Sequence, residues 1–209
     1  MSDWTGDGTT IAATTTSYCS VLELRASLGI GDAVDDTELA SEILVASRDI
    51  DGACYRHFYQ SLAGTVRYYS ATSRGMLWEL DDCVTLTGVE TDGDGDGVYE
   101  DVWQATDYTL LPENAAVDGG PYMLMEVTPR GSYRFPVGVP RGVKVTGTWG
   151  WPAVPEKVKR ACILRAAWLF KRRDTPLGLS GSADLGLVRV GRWDSDFEKL
   201  IGDFCKVRL

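Results

Sequence analysis

GTWGWPAVPEKVKRACILRAAWLFKRRDTPLG, residues 147–178, changes character in its middle. The opening residues read as a strand carrying aromatic side chains, the chain breaks at Pro152 and Pro155, and a single helix follows. Val158, Ala161, Leu164 and Trp168 recur at helical spacing, and Ile163, Ala166, Ala167 and Phe170 form a second stripe, so cover is expected on two sides. Pro155 suits a first turn and Glu156 complements the positive helix end. Lys171, Arg172 and Arg173 complement the negative end, and Asp174, Thr175, Pro176 and Gly178 stop the helix.

Two more helices are expected upstream. Ser20 with Glu23 three positions on is a capping-box start, and Gly29 a stop. Asp35 or Asp36 caps a second helix reaching about Phe58, with Leu39, Ile43, Ala46, Ile50, Cys54 and His57 along one face. From about Gly64 the period changes to two. Short strands are expected at Thr65–Tyr69, Met76–Leu80, Val84–Glu90, Tyr99–Trp103, Tyr108–Leu110, Tyr122–Val127 and Val143–Trp149. The fold class is therefore α+β, a helical core holding an inserted antiparallel β-rich block. The expected organisation is a flexible arm (1–17), helical core (18–62), β insertion (63–151), the rest of the helical core (152–178) and an extended carboxyl-terminal segment (179–209). No polar linker sets the block apart, so packing on the helical core is expected rather than a tether.

The chain has 209 residues, enough for a substantial core, and a formal charge of -9. That charge argues against a general nucleic-acid-binding surface, which needs many Lys and Arg contacts to phosphate. The five cysteines are odd in number and form no CxxC pair; reduced thiols, several in the core, are expected, with neither a disulfide framework nor a zinc knuckle. No secretory leader and no membrane-spanning stretch is read, which fits folding in a cytoplasm.

Catalytic signatures are sparse. The single histidine, His57, is expected as a packed or hydrogen-bonded core residue, so a Ser-His-Asp or Cys-His arrangement is hard to build. No GxGxxG and no P-loop motif occurs. Asp81, Asp82 and Asp107 are the carboxylates an enzyme could use, but they sit near strand ends where Asp commonly starts turns. No enzyme and no cofactor is expected. Asp92, Asp94 and Asp96, with Glu100, resemble a calcium loop, since alternating carboxylates and glycines suit a hard cation. Aligned on Asp92, however, the twelfth position is Trp103 where a bidentate Glu belongs. A solvated hairpin turn is the preferred reading, and a calcium-dependent binding module the alternative function. Lys157, Lys159, Arg160, Arg165, Lys171, Arg172, Arg173, Arg189 and Arg192 make a basic tail half in an acidic chain. They read either as a solvated helix face or as a surface for head-to-tail packing of identical subunits. Trp149, Trp151, Trp168 and Trp193 are candidate anchors, with a core role the equal alternative for Trp168. Trp151, Lys159, Arg160 and Arg172 are the subunit-interface candidates.

The arrangement resembles the head-tail connector (adaptor) proteins of tailed bacteriophages. Tyr18-Cys-Ser-Val-Leu-Glu-Leu-Arg-Ala-Ser-Leu-Gly-Ile30 is similar to the family's first helix. Asp35-Asp-Thr-Glu-Leu39 through Arg48-Asp-Ile-Asp-Gly-Ala-Cys-Tyr-Arg56, with Phe58-Tyr59, is similar to its second. Thr65-Val-Arg-Tyr-Tyr69, Leu80-Asp-Asp82, Thr106-Asp-Tyr108, Leu111-Pro112, Pro121-Tyr122 and Val145-Thr-Gly-Thr-Trp-Gly-Trp151 look like its β insertion. Pro155 through Pro176, Gly178 and Val188-Arg-Val190 before Asp194 complete the likeness. The resemblance implies a structural virion protein of the capsid–tail neck, assembled in the host cytoplasm. It implies a subunit of a ring, usually twelve copies, beneath the portal, extending the DNA channel and receiving a downstream stopper or tail-completion protein. DNA would pass through the lumen without specific binding, and acidic lumen residues would keep it from sticking. No membrane partner is implied. The segment from Gly181 to Leu209 would bind the portal, with Leu187, Arg189, Arg192, Trp193, Phe197 and Phe204 as contact candidates.

Overall fold

The computed structural model describes residues 16–173, 179–180, 188–189 and 195–206. The expected arm therefore lies almost wholly outside the described residues, as do Asp174 to Gly178, Leu187, Arg192 and Trp193. The chain divides into two compact units, Met1–Phe58 with Val154–Leu209, and Tyr59–Ala153. The class is mixed α+β, with antiparallel sheets.

The first unit is helical. Helix α1 (Val21–Leu28) carries the capping box in full: the Ser20 side chain accepts from the Glu23 amide, and the Glu23 carboxylate accepts from the Ser20 amide. Gly29 closes it in the left-handed region at φ 72°. Helix α2 (Asp36–Cys54) is entered through Asp35, whose side chain makes no capping hydrogen bond. It stops four residues short of the expected Phe58, because Tyr55 takes left-handed backbone (φ 52°). His57 thus leaves the helical face, and its side chain is 54% exposed, hydrogen-bonded to Asp51 rather than packed in the core. Helix α3 (Glu156–Arg173) packs on α1, α2 and α4 (Ser195–Ile201). Its buried ridge is Val158, Cys162, Ala166 and Phe170, every fourth residue, with Ala161 and Ile163 on the flanks. Both expected stripes contribute buried residues, Val158 and Ala161 from one and Ile163, Ala166 and Phe170 from the other, while Leu164, Ala167 and Trp168 are half-buried among the described residues.

Tyr18, ahead of α1, ties this unit together. Its hydroxyl donates to Asp51 of α2 and accepts from the Phe58 amide at 2.8 Å, while its ring meets Phe58 edge-on at 5.7 Å. Burial and the neighbouring Asp51 carboxyl push the phenol far above its ordinary pKa, so it remains a donor.

The second unit holds two sheets. The larger has strand order β1 (Thr65–Tyr69), β7 (Val143–Trp149), β3 (Cys83–Thr91), β4 (Asp101–Val102); the smaller has β2 (Met76–Leu77), β6 (Leu124–Val127), β5 (Tyr108–Leu111). Strand β7 is central and pairs Thr65 with Gly147 on one side and Val89 with Val145 on the other. Leu77, Leu80, Val89, Trp103, Met125, Phe135, Val143, Val145 and Trp149 form the core between strands and loops. Trp103 stacks on Phe135 at 4.8 Å. Trp149 is 1% exposed, donates its indole N–H to the Thr65 carbonyl at 2.8 Å and carries Arg67 over its ring, so it is a core residue and not a surface anchor. Strands β8 (Leu179–Ser180) and β9 (Val188–Arg189) form a two-stranded pair. Among the described residues no helix is long and apolar enough to cross a membrane.

Candidate functional site

The acidic loop between β3 and β4 is built around one carboxylate. Asp92 is buried, and its two oxygens accept the Gly95 amide at 2.7 Å and the Gly97 amide at 2.9 Å. The left-handed Gly95 and Gly97 make this wrap possible. Asp94 accepts from the Asp96 amide at 3.3 Å and Asp96 from the Val98 amide at 2.7 Å, both short-range turns. One oxygen each from Asp92, Asp94 and Asp96 lies within 4.8 Å of the others, and Glu100 falls outside that group. The geometry accounts for a turn closed on Asp92, whose oxygens already have donors. The loop also shortens β4 to Asp101–Val102 from the expected Tyr99–Trp103.

Asp107 does the same for another loop, accepting the Gln104 amide at 2.7 Å and the Ser132 amide at 2.9 Å. Asp81 pairs with Arg67 at 3.1 Å, and the Asp82 carbonyl accepts the Gly150 amide at 2.7 Å. The Asp81 and Asp107 carboxylates therefore have structural duties, whereas the bond at Asp82 is made by its backbone. A shallow cleft of about 240 Å³ beside Thr109, Glu126 and Arg134 gathers none of them.

Burial opposes ionisation of Asp92, but the Gly97 and Gly95 amides outweigh it and hold the carboxyl below the ordinary aspartate range. The Ser132 and then the Gln104 amide lower Asp107 likewise. A depressed folded pKa means that the stabilisation is complete above the unfolded value of about 3.9 and is lost as pH falls through the folded values. Thermal melts are expected to be level between about pH 7 and 5 and to drop below about pH 4, with a smaller drop in Asp107→Asn. The same melts in millimolar calcium are expected to be unshifted; a calcium-dependent rise would favour the chelating reading over the turn.

The basic cluster is largely matched inside its own unit. Arg165 pairs with Asp49 at 2.7 Å, Lys159 with Glu156 at 3.2 Å and Glu23 at 3.6 Å, and Lys157 with Asp203 at 2.7 Å. Arg173 reaches both Glu38 and Asp35. Arg160 and Arg172 are exposed. Trp168 is bracketed by the guanidinium groups of Arg165 at 4.7 Å and Arg172 at 5.0 Å. Trp151 is half-buried, in the β unit. Apart from Glu156, the matching acids lie on other elements, which the sequence alone does not show.

Of the six expected portal contacts, Leu187, Arg192 and Trp193 lie outside the described residues, and of Arg189 the structure describes the strand backbone. Phe197 is 2% exposed, and Phe204 meets Phe58 edge-on at 5.8 Å, so both pack into the helical unit.

No protein-family model matches the chain, and no curated protein matches it. Among solved structures the chain is similar to one in the neck of an empty gene transfer agent (GTA) particle computed with C6 symmetry: TM-score 0.55, 20% identity, covering 96% of this chain and 94% of that one. It is also similar to a chain in the neck of a native GTA particle computed with C12 symmetry: TM-score 0.54, 21% identity, with the same coverage. The shared property is the fold, across nearly the whole length of both chains.

Proposed function

We propose that this chain is a structural neck protein, a head-tail connector (adaptor) subunit that forms a ring beneath the portal, extends the DNA channel and links capsid to tail. The observation that carries the reading is the fold likeness over 96% of the chain to neck chains of particles computed with C6 and C12 symmetry. Twelve copies agree with both symmetries, and repeated heterologous contacts close into such a ring. The role is non-enzymatic, the place is the virion neck, and assembly takes place in the host cytoplasm.

Within this reading Arg160 and Arg172, with Trp151 and Lys159, face the neighbouring subunit. The portal is met by residues 181–209, through Leu187, Arg189, Arg192 and Trp193, while Phe197 and Phe204 hold the segment's root on the helical unit. A stopper or tail-completion protein docks downstream. The net charge of -9 lets DNA pass without sticking.

The test is co-sedimentation of the purified chain with DNA-filled, tailless heads that display their portal, followed by imaging of the vertex. Ring-shaped density at that single vertex is the expected result. Failure to bind heads of the matching phage would overturn the proposal.

A further inference from the structure

The helical unit contains a pair of thiols that its other contacts leave facing one another. Cys54, the last residue of α2, is buried, and Cys205, just past the turn Gly202–Phe204, is partly exposed. They lie 151 positions apart in sequence, yet their sulfurs are 3.0 Å apart. Both thiols also point at one carbonyl, that of Ile201, at 3.8 Å from Cys54 and 3.4 Å from Cys205. The Lys206 amide donates to the Cys54 carbonyl at 3.0 Å, which pins the backbone around Cys205 against the end of α2. A disulfide bond is about 2.05 Å long, so closing the gap requires roughly 1 Å of sulfur movement.

We propose that Cys54 and Cys205 form a redox staple, a site of thiol–disulfide exchange with small-molecule disulfides that locks the carboxyl-terminal segment to α2. The inference stands on this geometry alone and does not depend on the connector reading. Cys205 is the partly exposed sulfur, so it meets the oxidant first. As thiolate it attacks one sulfur of a small disulfide, forming a mixed disulfide and releasing one small thiol. Cys54 then attacks the Cys205 sulfur and expels the second small thiol. The two protein thiols are oxidised, the small disulfide is reduced to two thiols, and the two protein protons end on those thiols. Burial raises the Cys54 thiol well above its ordinary pKa, which makes the second step the slower one.

A second pair, Cys19 and Cys162, has its sulfurs 3.6 Å apart, and Cys83 is buried in the β unit. All three are enclosed, so the reagent has no entry to them and they serve as internal controls.

The experiment incubates the full chain with oxidised glutathione, with a parallel sample in dithiothreitol, then alkylates under denaturing conditions and maps peptides by mass. The expected product is lighter by two hydrogens, links the peptides holding Cys54 and Cys205, and leaves Cys19, Cys83 and Cys162 alkylated. Its Tm is expected to exceed the reduced sample's by roughly 5–10 °C, because a long loop is closed in the unfolded chain. Cys205→Ser is expected to remove both the link and the shift; Cys54→Ala is expected instead to leave a stable glutathione adduct on Cys205. Recovery of both thiols alkylated, a stable adduct on Cys205 in the unsubstituted chain, or a link through another cysteine would overturn the proposal.

Discussion

Gly150→Ala is expected to leave little or no folded protein. Gly150 leaves β7 at φ 110°, a conformation that side chains disfavour, and an added Cβ would lie 1.8 Å from the Tyr59 carbonyl oxygen and 2.8 Å from its carbon. Neither side can retreat. The Ser61 amide donates to the Trp149 carbonyl at 2.7 Å, the Trp149 amide to the Ser61 hydroxyl at 2.9 Å, and the Gly150 amide to the Asp82 carbonyl at 2.7 Å. Backbone strain of about 1–3 kcal/mol adds to the cost of forcing two bonded segments apart. The sum is expected to exceed roughly 4 kcal/mol, a large share of the 5–15 kcal/mol typical of a domain. Gly64→Ala is the control: its φ is 73°, but open space surrounds the added methyl, so a loss near 1 kcal/mol is expected. Soluble yield and urea denaturation compare the two; a Gly150→Ala protein as stable as Gly64→Ala would refute the steric account.

Asp51→Ala should be the most damaging single change in the helical unit. The side chain is 9% exposed and gathers the Tyr18 hydroxyl, Arg48 Nε at 3.2 Å and His57 Nδ1 at 3.2 Å. Truncation takes the acceptor from a buried phenol that is also fixed by the Phe58 amide. Removing one partner of a buried charged network costs about 3–5 kcal/mol. Arg48→Ala, at a side chain 45% exposed, should cost under about 1 kcal/mol. Urea midpoints measure the difference, and equal losses from the two substitutions would show that the site behaves as a surface pair.

The long helix was legible because its punctuation is chemical: Pro155 and Glu156 mark its start, and its last turn carries Lys171, Arg172 and Arg173. The two long edges of strand signal, Thr65–Tyr69 and Val143–Trp149, appear with the expected bounds. Expectation failed where a tertiary contact overrode local pattern. Met76–Leu80 forms only Met76–Leu77; beyond it the Leu80 amide bonds the Met123 carbonyl and the Leu80 side chain packs in the β-unit core. Tyr55 turns left-handed without being glycine, and nothing local announces that. The basic face of α3 read as a charged surface since sequence does not display Asp49, Glu38 or Asp203 opposite it. Phe197 and Phe204 were visible as apolar, but which surface they cover is a matter of the fold.

The division of the chain also sets an order of events during synthesis. The β unit is one uninterrupted run, Tyr59–Ala153, so all of its partners have left the ribosome by the time Ala153 emerges. The helical unit is split: Leu39, Ile43 and Ile50 of α2 wait for Val158, Cys162 and Ala166, more than a hundred residues later. Burial of the α2 face against α3 is therefore completed only after the whole β unit has been made.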